Sequence, residues 1–209
     1  MATEINLKNK NVIPLWLLFV FNVLVLLISY LSIHLDTFLN NYKALITFRS
    51  SGILIAPVVL FIILGLLSSN QKAFLVFWRF KDILPGCRAF TLHALNDPRV
   101  NMKRLEMLHG PLPTAGRDQN QLWYKIYKKH SSDLVIMKSH KDFLLARDMS
   151  AISFLFLIFA GFPMLYFGKS PNSYFYLIFL FVQYLIFVRI AQNHGKRFVT
   201  NVLALESTY

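Results

Sequence analysis

The 209-residue chain has little cysteine and little acidic charge. Cys87 is its only cysteine, which excludes an intrachain disulfide and a zinc or redox site built on a Cys-x-x-Cys pair. Asp and Glu number 10 against 22 Lys and Arg, so the formal net charge is +12. The Walker loop, the serine-hydrolase elbow and the HExxH zinc motif are also missing. These absences remove common enzyme classes and leave Cys87 as a reduced, structural thiol.

Charge is also missing from four long apolar stretches. Three of them, 13–34, 51–69 and 149–168, contain no Asp, Glu, Lys or Arg, and 174–192 contains only Arg189. Each is about 20 residues long, the length at which an α-helix crosses roughly 30 Å of hydrocarbon. The first stretch is too long for the hydrophobic region of a signal peptide, so we expect it to stay in the mature protein.

The sequence therefore predicts an all-α, polytopic membrane protein with four transmembrane helices. A small helical cytoplasmic cap lies between spans two and three. The predicted domains are an N-terminal transmembrane pair in 1–69, the cap in 70–148, and a C-terminal transmembrane hairpin with a short cytoplasmic tail in 149–209. Residues 70–148 hold 14 Lys and Arg against 7 Asp and Glu. By the positive-inside rule, the cap and both termini face the cytoplasm, at a bacterial inner membrane.

Two uncharged amides, Asn22 and Gln183, lie near the centres of spans one and four. Amides at this depth usually hydrogen-bond to a neighbouring helix, worth about 1 kcal/mol, and the alternative is a polar path through the bundle. Helix packing is the favoured interpretation because no acidic residue lies within the four spans. Pro57 and Pro163 are expected to kink spans two and three.

The connections on the outer side are predicted to be short. Apolar residues at helical spacing in Asp36–Arg49 favour a short helix on the outer membrane interface. Lys169–Ser173 is predicted to be a tight turn, which makes spans three and four an antiparallel hairpin.

The cap is predicted to be helical because its apolar residues recur at helical spacing. Its first helix is Lys72–Ile83, which continues span two or lies along the inner leaflet. Leu84-Pro85-Gly86-Cys87 ends this helix. A second helix is expected to begin with Asp97 as its N-cap and to stop at Gly110.

Two further helices complete the predicted cap. The third helix is expected over Asp118–His130. The fourth is expected to be capped by Ser132 or Asp133 and to continue into span three.

The third helix offers the clearest candidate binding surface. Aromatic rings and lysines lie together on it, a combination that binds phosphate groups or nucleic acid by stacking and charge. The alternative is a basic face attracted to the inner leaflet. With two nearby arginines, the predicted binding residues are Arg88, Arg99, Trp123, Tyr124, Lys125, Lys128 and Lys129.

Four of the six histidines lie in the cap, at no recognised metal spacing, so no metal or other cofactor is predicted. Arg88–His93 and Arg104–His109 both read Arg-x4-His. This spacing resembles the catalytic motif of HEPN-type ribonucleases, in which Arg and His from paired protomers cleave RNA. The chain departs from that family at Ala89, where a polar residue usually follows the arginine.

Four blocks resemble those of bacterial four-span proteins, and together they cover the cytoplasmic third of the chain. The blocks are Leu84–Phe90, Asp97-Pro98-Arg99, His109–Pro113 and Gln119–Tyr127. In overall plan the chain is similar to small four-span membrane components of prokaryotic antiviral defence systems. This resemblance implies a cytoplasmic sensor that is coupled to a change at the membrane.

Three functions remain open. The leading hypothesis is a non-enzymatic, oligomeric inner-membrane protein whose basic cap binds a protein partner or signal and couples it to the membrane, as a defence component. A nucleotide or nucleic acid is a further candidate ligand, and the lipid bilayer is a partner in every case. The second hypothesis is a membrane immunity or superinfection-exclusion protein. The third is a membrane-tethered HEPN-like ribonuclease.

Overall fold

The computed structural model describes residues 11–33, 62, 65–167 and 171–208, and within them every regular element is a helix. The elements are, in chain order, α1 Val12–Ile33, α2 Ser69–Phe77, a 3-10 helix Pro85–Arg88, a π-helix Ala89–Ala94, α3 Met102–His109, α4 Gly116–Lys129, α5 Leu134–Phe156, a second π-helix Leu157–Gly161, α6 Phe162–Phe167 and α7 Asn172–Glu206. The all-α prediction is confirmed for this part of the chain.

Among the residues that the structure describes, three helical segments are long and apolar enough to cross a membrane. They are Val12–Ser29, Leu134–Tyr166 and Asn172–Glu206. These segments correspond to predicted spans one, three and four. Most of predicted span two, with Pro57, lies outside the described residues, as do Asp36–Arg49 and part of the turn between spans three and four.

Pro163 accounts for a change of helix geometry within the third span. A proline in a helix donates no hydrogen bond to the carbonyl four residues earlier, and its ring crowds that carbonyl. Here that carbonyl belongs to Phe159, in the middle of the π-helix Leu157–Gly161. The wider π-turn is a usual way to accommodate such an interruption without ending the helix.

The chain divides into two compact units, and both boundaries on the C-terminal side fall inside helices α5 and α7. The first unit contains Met1–Asn11, Asn70–Arg147 and Val188–Tyr209 and is called the basic unit below. The second contains Val12–Ser69 and Asp148–Phe187 and is called the apolar unit. The C-terminal part of α7 thus belongs to the same unit as residues 70–147, most of the predicted cap. The sequence placed this part of α7 in a tail after the last span.

The basic unit has an apolar core of its own, to which five helical elements and Val100 contribute buried side chains. Its buried members are Ala89, Phe90, Ala94, Val100, Leu105, Trp123, Ile126, Tyr127, Ile136, Phe143, Phe198, Val199, Val202 and Leu203. The last four recur at helical spacing near the end of α7, so this end of the helix buries one face in the core. A core of this size explains why the connection folds compactly.

The first predicted helix of the cap, α2 in the structure, ends earlier than the sequence indicates. It stops at Phe77, and Trp78 takes a φ of 51°, a left-handed conformation that does not continue a right-handed helix. The prediction of a helix over Lys72–Ile83 is therefore wrong beyond Phe77. The basic and aromatic composition of this segment is compatible with helix, but the backbone turns before Pro85 is reached.

The second predicted helix of the cap, α3 in the structure, starts later than predicted. Asn101, and not Asp97, is its N-cap: the Asn101 side chain accepts a hydrogen bond from the Arg104 amide at 3.1 Å. Asp97 instead accepts from the Arg99 amide two residues later, which forms a local turn and not a helix start. The predicted end is confirmed, because Gly110 has a φ of 73° directly after α3.

The third and fourth predicted helices of the cap, α4 and α5 in the structure, lie close to their predicted positions. The structure gives α4 as Gly116–Lys129, against the predicted Asp118–His130. Of the two proposed caps for α5, Asp133 fills the role, since its Oδ1 accepts from the amides of Val135 at 2.8 Å and Ile136 at 3.1 Å. As predicted, α5 continues without a break into the third apolar stretch.

Candidate functional site

One face of α4 carries exposed positive charge beside an aromatic ring. Tyr124 is 44% exposed, and Lys125 and Lys128 are exposed next to it. The ammonium of Lys128 lies 5.2 Å from the centre of the Tyr124 ring, within reach of a cation–π contact. We call Tyr124, Lys125 and Lys128 the α4 face. Their spacing of three and four residues puts them on one side of the helix.

Trp123 does not belong to that face. It is only 7% exposed, and its Nε1 donates to the carbonyl of Val199 at 3.4 Å. Its ring stacks on Tyr127 at 5.8 Å between ring centres and meets Phe198 edge to face at 5.2 Å. The indole holds α4 against α7, so its contribution is to the core of the basic unit.

Lys129 is engaged at a buried carboxylate. Its Nζ lies 3.0 Å from both oxygens of Glu206, whose side chain is 1% exposed. The Nε2 of His109 lies 3.0 Å from Oε1 of Glu206, and Nε2 of His130 is hydrogen-bonded to Oε2. We call these four residues the Glu206 cluster. It joins the C-terminal ends of α3, α4 and α7.

Arg99 is held by its own turn. Its Nε and Nη2 bond the two oxygens of Asp97 at 3.0 and 2.8 Å, and Nη2 also lies 3.3 Å from the hydroxyl of Thr200. These hydrogen bonds hold the pKa of Asp97 below its usual range. The guanidinium therefore fixes the 97–99 turn against α7, and only part of it remains available to a ligand.

Arg88 lies beside the π-helix Ala89–Ala94, which carries His93. Arg88 is half-buried and His93 is buried. Burial and the adjacent Asp82 carboxylate raise the pKa of the Cys87 thiol, in agreement with a structural role for that residue. The other Arg-x4-His pair differs, because its histidine, His109, belongs to the Glu206 cluster.

A buried amide fixes the π-helix to α4. Oε1 of Gln119 accepts from the amides of Phe90 at 3.1 Å and Thr91 at 3.2 Å. Its Nε2 donates to the carbonyl of Thr114 at 2.7 Å. Gln119 thereby satisfies backbone groups that a π-helix start leaves without partners. This bracing holds the segment from Arg88 to His93 against α4.

In the apolar unit, the two intramembrane amides are both buried. Nδ2 of Asn22 donates to the carbonyl of Leu18 at 2.8 Å, one turn earlier in the same helix. The carbonyl oxygens of Asn22 and Gln183 have no hydrogen-bond partner within the described ranges.

The structure places Tyr124, Lys125 and Lys128 on one helix, and their role in binding stays a prediction. Sequence reasoning missed the Glu206 cluster and the burial of His93. The cluster joins residues that lie 76 to 97 positions apart in the chain, so no local spacing reveals it. A signal did exist: Glu206 is the only acidic residue after Asp148 and follows an apolar helical stripe. A lone carboxylate that is buried in such a position needs a cationic or hydrogen-bond-donating partner.

Comparison with family models, with curated proteins and with solved structures found no match to this chain. Its chemistry is therefore inferred from its own residues. No group of three His, Cys, Asp or Glu side chains is placed to hold a metal ion in the part of the chain that the structure describes.

Proposed function

We propose that this protein is a non-enzymatic integral membrane protein of the bacterial inner membrane. Its basic unit faces the cytoplasm, binds an anionic signal or partner, and couples that binding to the membrane. The α4 face is the observation that carries this proposal. It supplies exposed charge and an exposed aromatic ring on a helix whose opposite side is fixed in an apolar core.

The composition of the basic unit supports an anionic ligand. Asn70–Asp148 has twice as many basic as acidic residues. Two acidic residues of the basic unit are paired with basic side chains, Asp97 with Arg99 and Glu206 with Lys129. Lys125 and Lys128 of the α4 face are exposed, which places their positive charge at the surface. Charge pairing at the surface is screened by salt over about 8 Å at physiological ionic strength.

Replacing the two lysines of the α4 face should weaken binding to a polyanion without unfolding the protein. In the full-length protein in mild detergent, Lys125→Gln with Lys128→Gln should elute from immobilised heparin at lower salt than the wild type. The thermal midpoint should hardly change, since exposed substitutions usually cost within about 0.5 kcal/mol.

The matched control removes the same charge elsewhere. Lys103 and Lys138 are also exposed, and replacing both with Gln leaves the α4 face intact. This control should elute close to the wild type. Equal shifts in the two double variants would show that total charge, and not the α4 face, governs binding, and the proposal would fail.

The cytoplasmic placement is tested by reporter fusions to the chain. Fusions after Gly116 and Tyr209 should behave as cytoplasmic, and fusions after Lys43 and Ser170 as periplasmic, because Lys and Arg are concentrated in the long connection. A periplasmic signal at Gly116 would place the basic unit on the wrong side of the membrane for this function.

A further inference from the structure

Polar atoms without hydrogen-bond partners collect beside the π-helix of the basic unit. His93 is 6% exposed, and neither Nδ1 nor Nε2 has a partner among the described residues. The same is true of the buried Nε of Arg88 and of Oδ1 of Asn120. These atoms come from adjacent elements, since the 3-10 and π-helices pack against α4.

Such a group of atoms is costly in a folded protein. A buried donor or acceptor without a partner costs about 1–3 kcal/mol, whereas an apolar side chain of similar shape costs nothing of this kind. Most buried polar atoms in native proteins are therefore paired with protein, water or a ligand. An imidazole with two unpartnered nitrogens, beside an unpartnered guanidinium nitrogen, indicates that a ligand supplies the missing hydrogen-bond partners.

The electrostatic surroundings identify the charge of that ligand. Burial, with smaller effects from the positive charges of Arg88 and Lys196, lowers the pKa of His93 to about 4. Both charged groups that act on the ring are thus positive. Arg88 is half-buried and Lys196 is exposed, so the positive charge extends from the buried ring to the surface.

The local backbone is shaped for close approach. A Cβ at Gly86 would collide with Oδ1 of Asn120 and would lie 2.8 Å from the indole of Trp123, so only glycine lets this turn lie against α4. π-helical turns are rare and occur frequently at functional sites. Here the π-turn carries His93 and is braced by Gln119.

We propose that Arg88, His93 and Lys196 form a binding site for the phosphate group of a small molecule. Phosphate oxygens accept from the guanidinium and the imidazole, and a phosphate or ligand hydroxyl donates to Oδ1 of Asn120. This site goes beyond the proposed function, because it is distinct from the α4 face and is tested separately.

The direct test is calorimetric titration of the full-length protein in neutral detergent, with inorganic phosphate and with adenosine monophosphate as probes. At constant ionic strength the wild type should bind at least one of them. Arg88→Gln and His93→Gln should each weaken binding about tenfold or more, which corresponds to about 1.4 kcal/mol. Lys138→Gln is the control, because Lys138 is exposed on α5 and belongs to neither proposed site, and it should bind as the wild type does. The two probes separate free phosphate from a phosphomonoester.

A second variant keeps the test valid if the first variants fold poorly. His93→Leu removes the unpartnered nitrogens and should raise the thermal midpoint in phosphate-free buffer while it abolishes the phosphate-induced rise. Sulfate, whose charge stays constant, should bind the wild type more tightly at about pH 6 than at about pH 8, because an anion favours the imidazolium form.

Each outcome decides the proposal. Absence of binding by the wild type, or phosphate binding that Arg88→Gln and His93→Gln leave unchanged, would overturn the phosphate site. The heparin result for Lys125 and Lys128 would then still stand or fall by itself. A failed phosphate site and a failed α4 face are therefore distinguishable.

Discussion

Replacing Glu206 with Gln is expected to lower the free energy of unfolding by about 2 kcal/mol or more, because hydrogen bonds to charged groups contribute about 1.5–3 kcal/mol each. The Glu206 carboxylate is almost completely buried and receives hydrogen bonds from Lys129, His109 and His130. A glutamine of equal size loses the negative charge and presents an NH2 donor to groups that are themselves donors. Lys129 is 59% exposed and can be rehydrated, which keeps the loss below the sum of three such bonds.

The measurement is thermal or denaturant unfolding of the full-length protein in mild detergent. Tryptophan fluorescence reports on it, since the indole of Trp123 packs in the core of the basic unit. Glu106→Gln is the matched control, because Glu106 is exposed on α3 and its substitution should change stability by less than about 0.5 kcal/mol. An effect of Glu206→Gln as small as that of the control would show that the cluster does not stabilise the fold.

The first apolar helix shows how much the sequence determines by itself. A charge-free stretch at 13–34 predicted it, and the structure gives α1 as Val12–Ile33. The end of α3 at Gly110 was predicted equally well, and Asp133 was one of the two residues predicted to cap α5. In each case the physical cause is local: hydrocarbon length, a left-handed glycine, or a side chain that accepts from the next backbone amides.

Elements that depend on distant contacts were not predictable in this way. The end of α7 was predicted to be a short cytoplasmic tail after the last span, yet Phe198 and Val202 bury one face against α4 and α5. Trp123 was included among the predicted binding residues, yet it lies in the same core. An amphipathic helix has two sides, and only the tertiary contacts show which of its aromatic rings is in the core.

In the candidate site, too, features with a local cause were predictable and features that depend on distant contacts were not. The composition of α4 revealed an exposed basic face, since lysines at Lys125 and Lys128 share one side of a helix. Burial of His93 depends on the packing of the π-helix Ala89–Ala94, which no sequence pattern predicted. The unpartnered state of a side chain follows from the whole fold.

Acidification should destabilise the wild-type protein through His93. Its pKa is lowered to about 4 in the folded protein, against about 6.5 in an unfolded chain. Between these values the unfolded chain binds a proton and the folded protein does not, so stability falls as the pH falls. The contribution is complete above about pH 6.5, and its loss by about pH 4 amounts to about 3 kcal/mol.

His93→Leu should reduce this acid-induced loss by a similar amount, because leucine binds no proton in either state. Unfolding midpoints in phosphate-free detergent solution, measured from about pH 7 to about pH 4, give the comparison. His194→Leu is the control at a half-buried position of α7, and it should retain the acid-induced loss because His93 is intact. If His93→Leu and the wild type lost stability in parallel across this range, His93 would be protonated in the folded protein. Its surroundings would then have to include an acceptor that pairs with it.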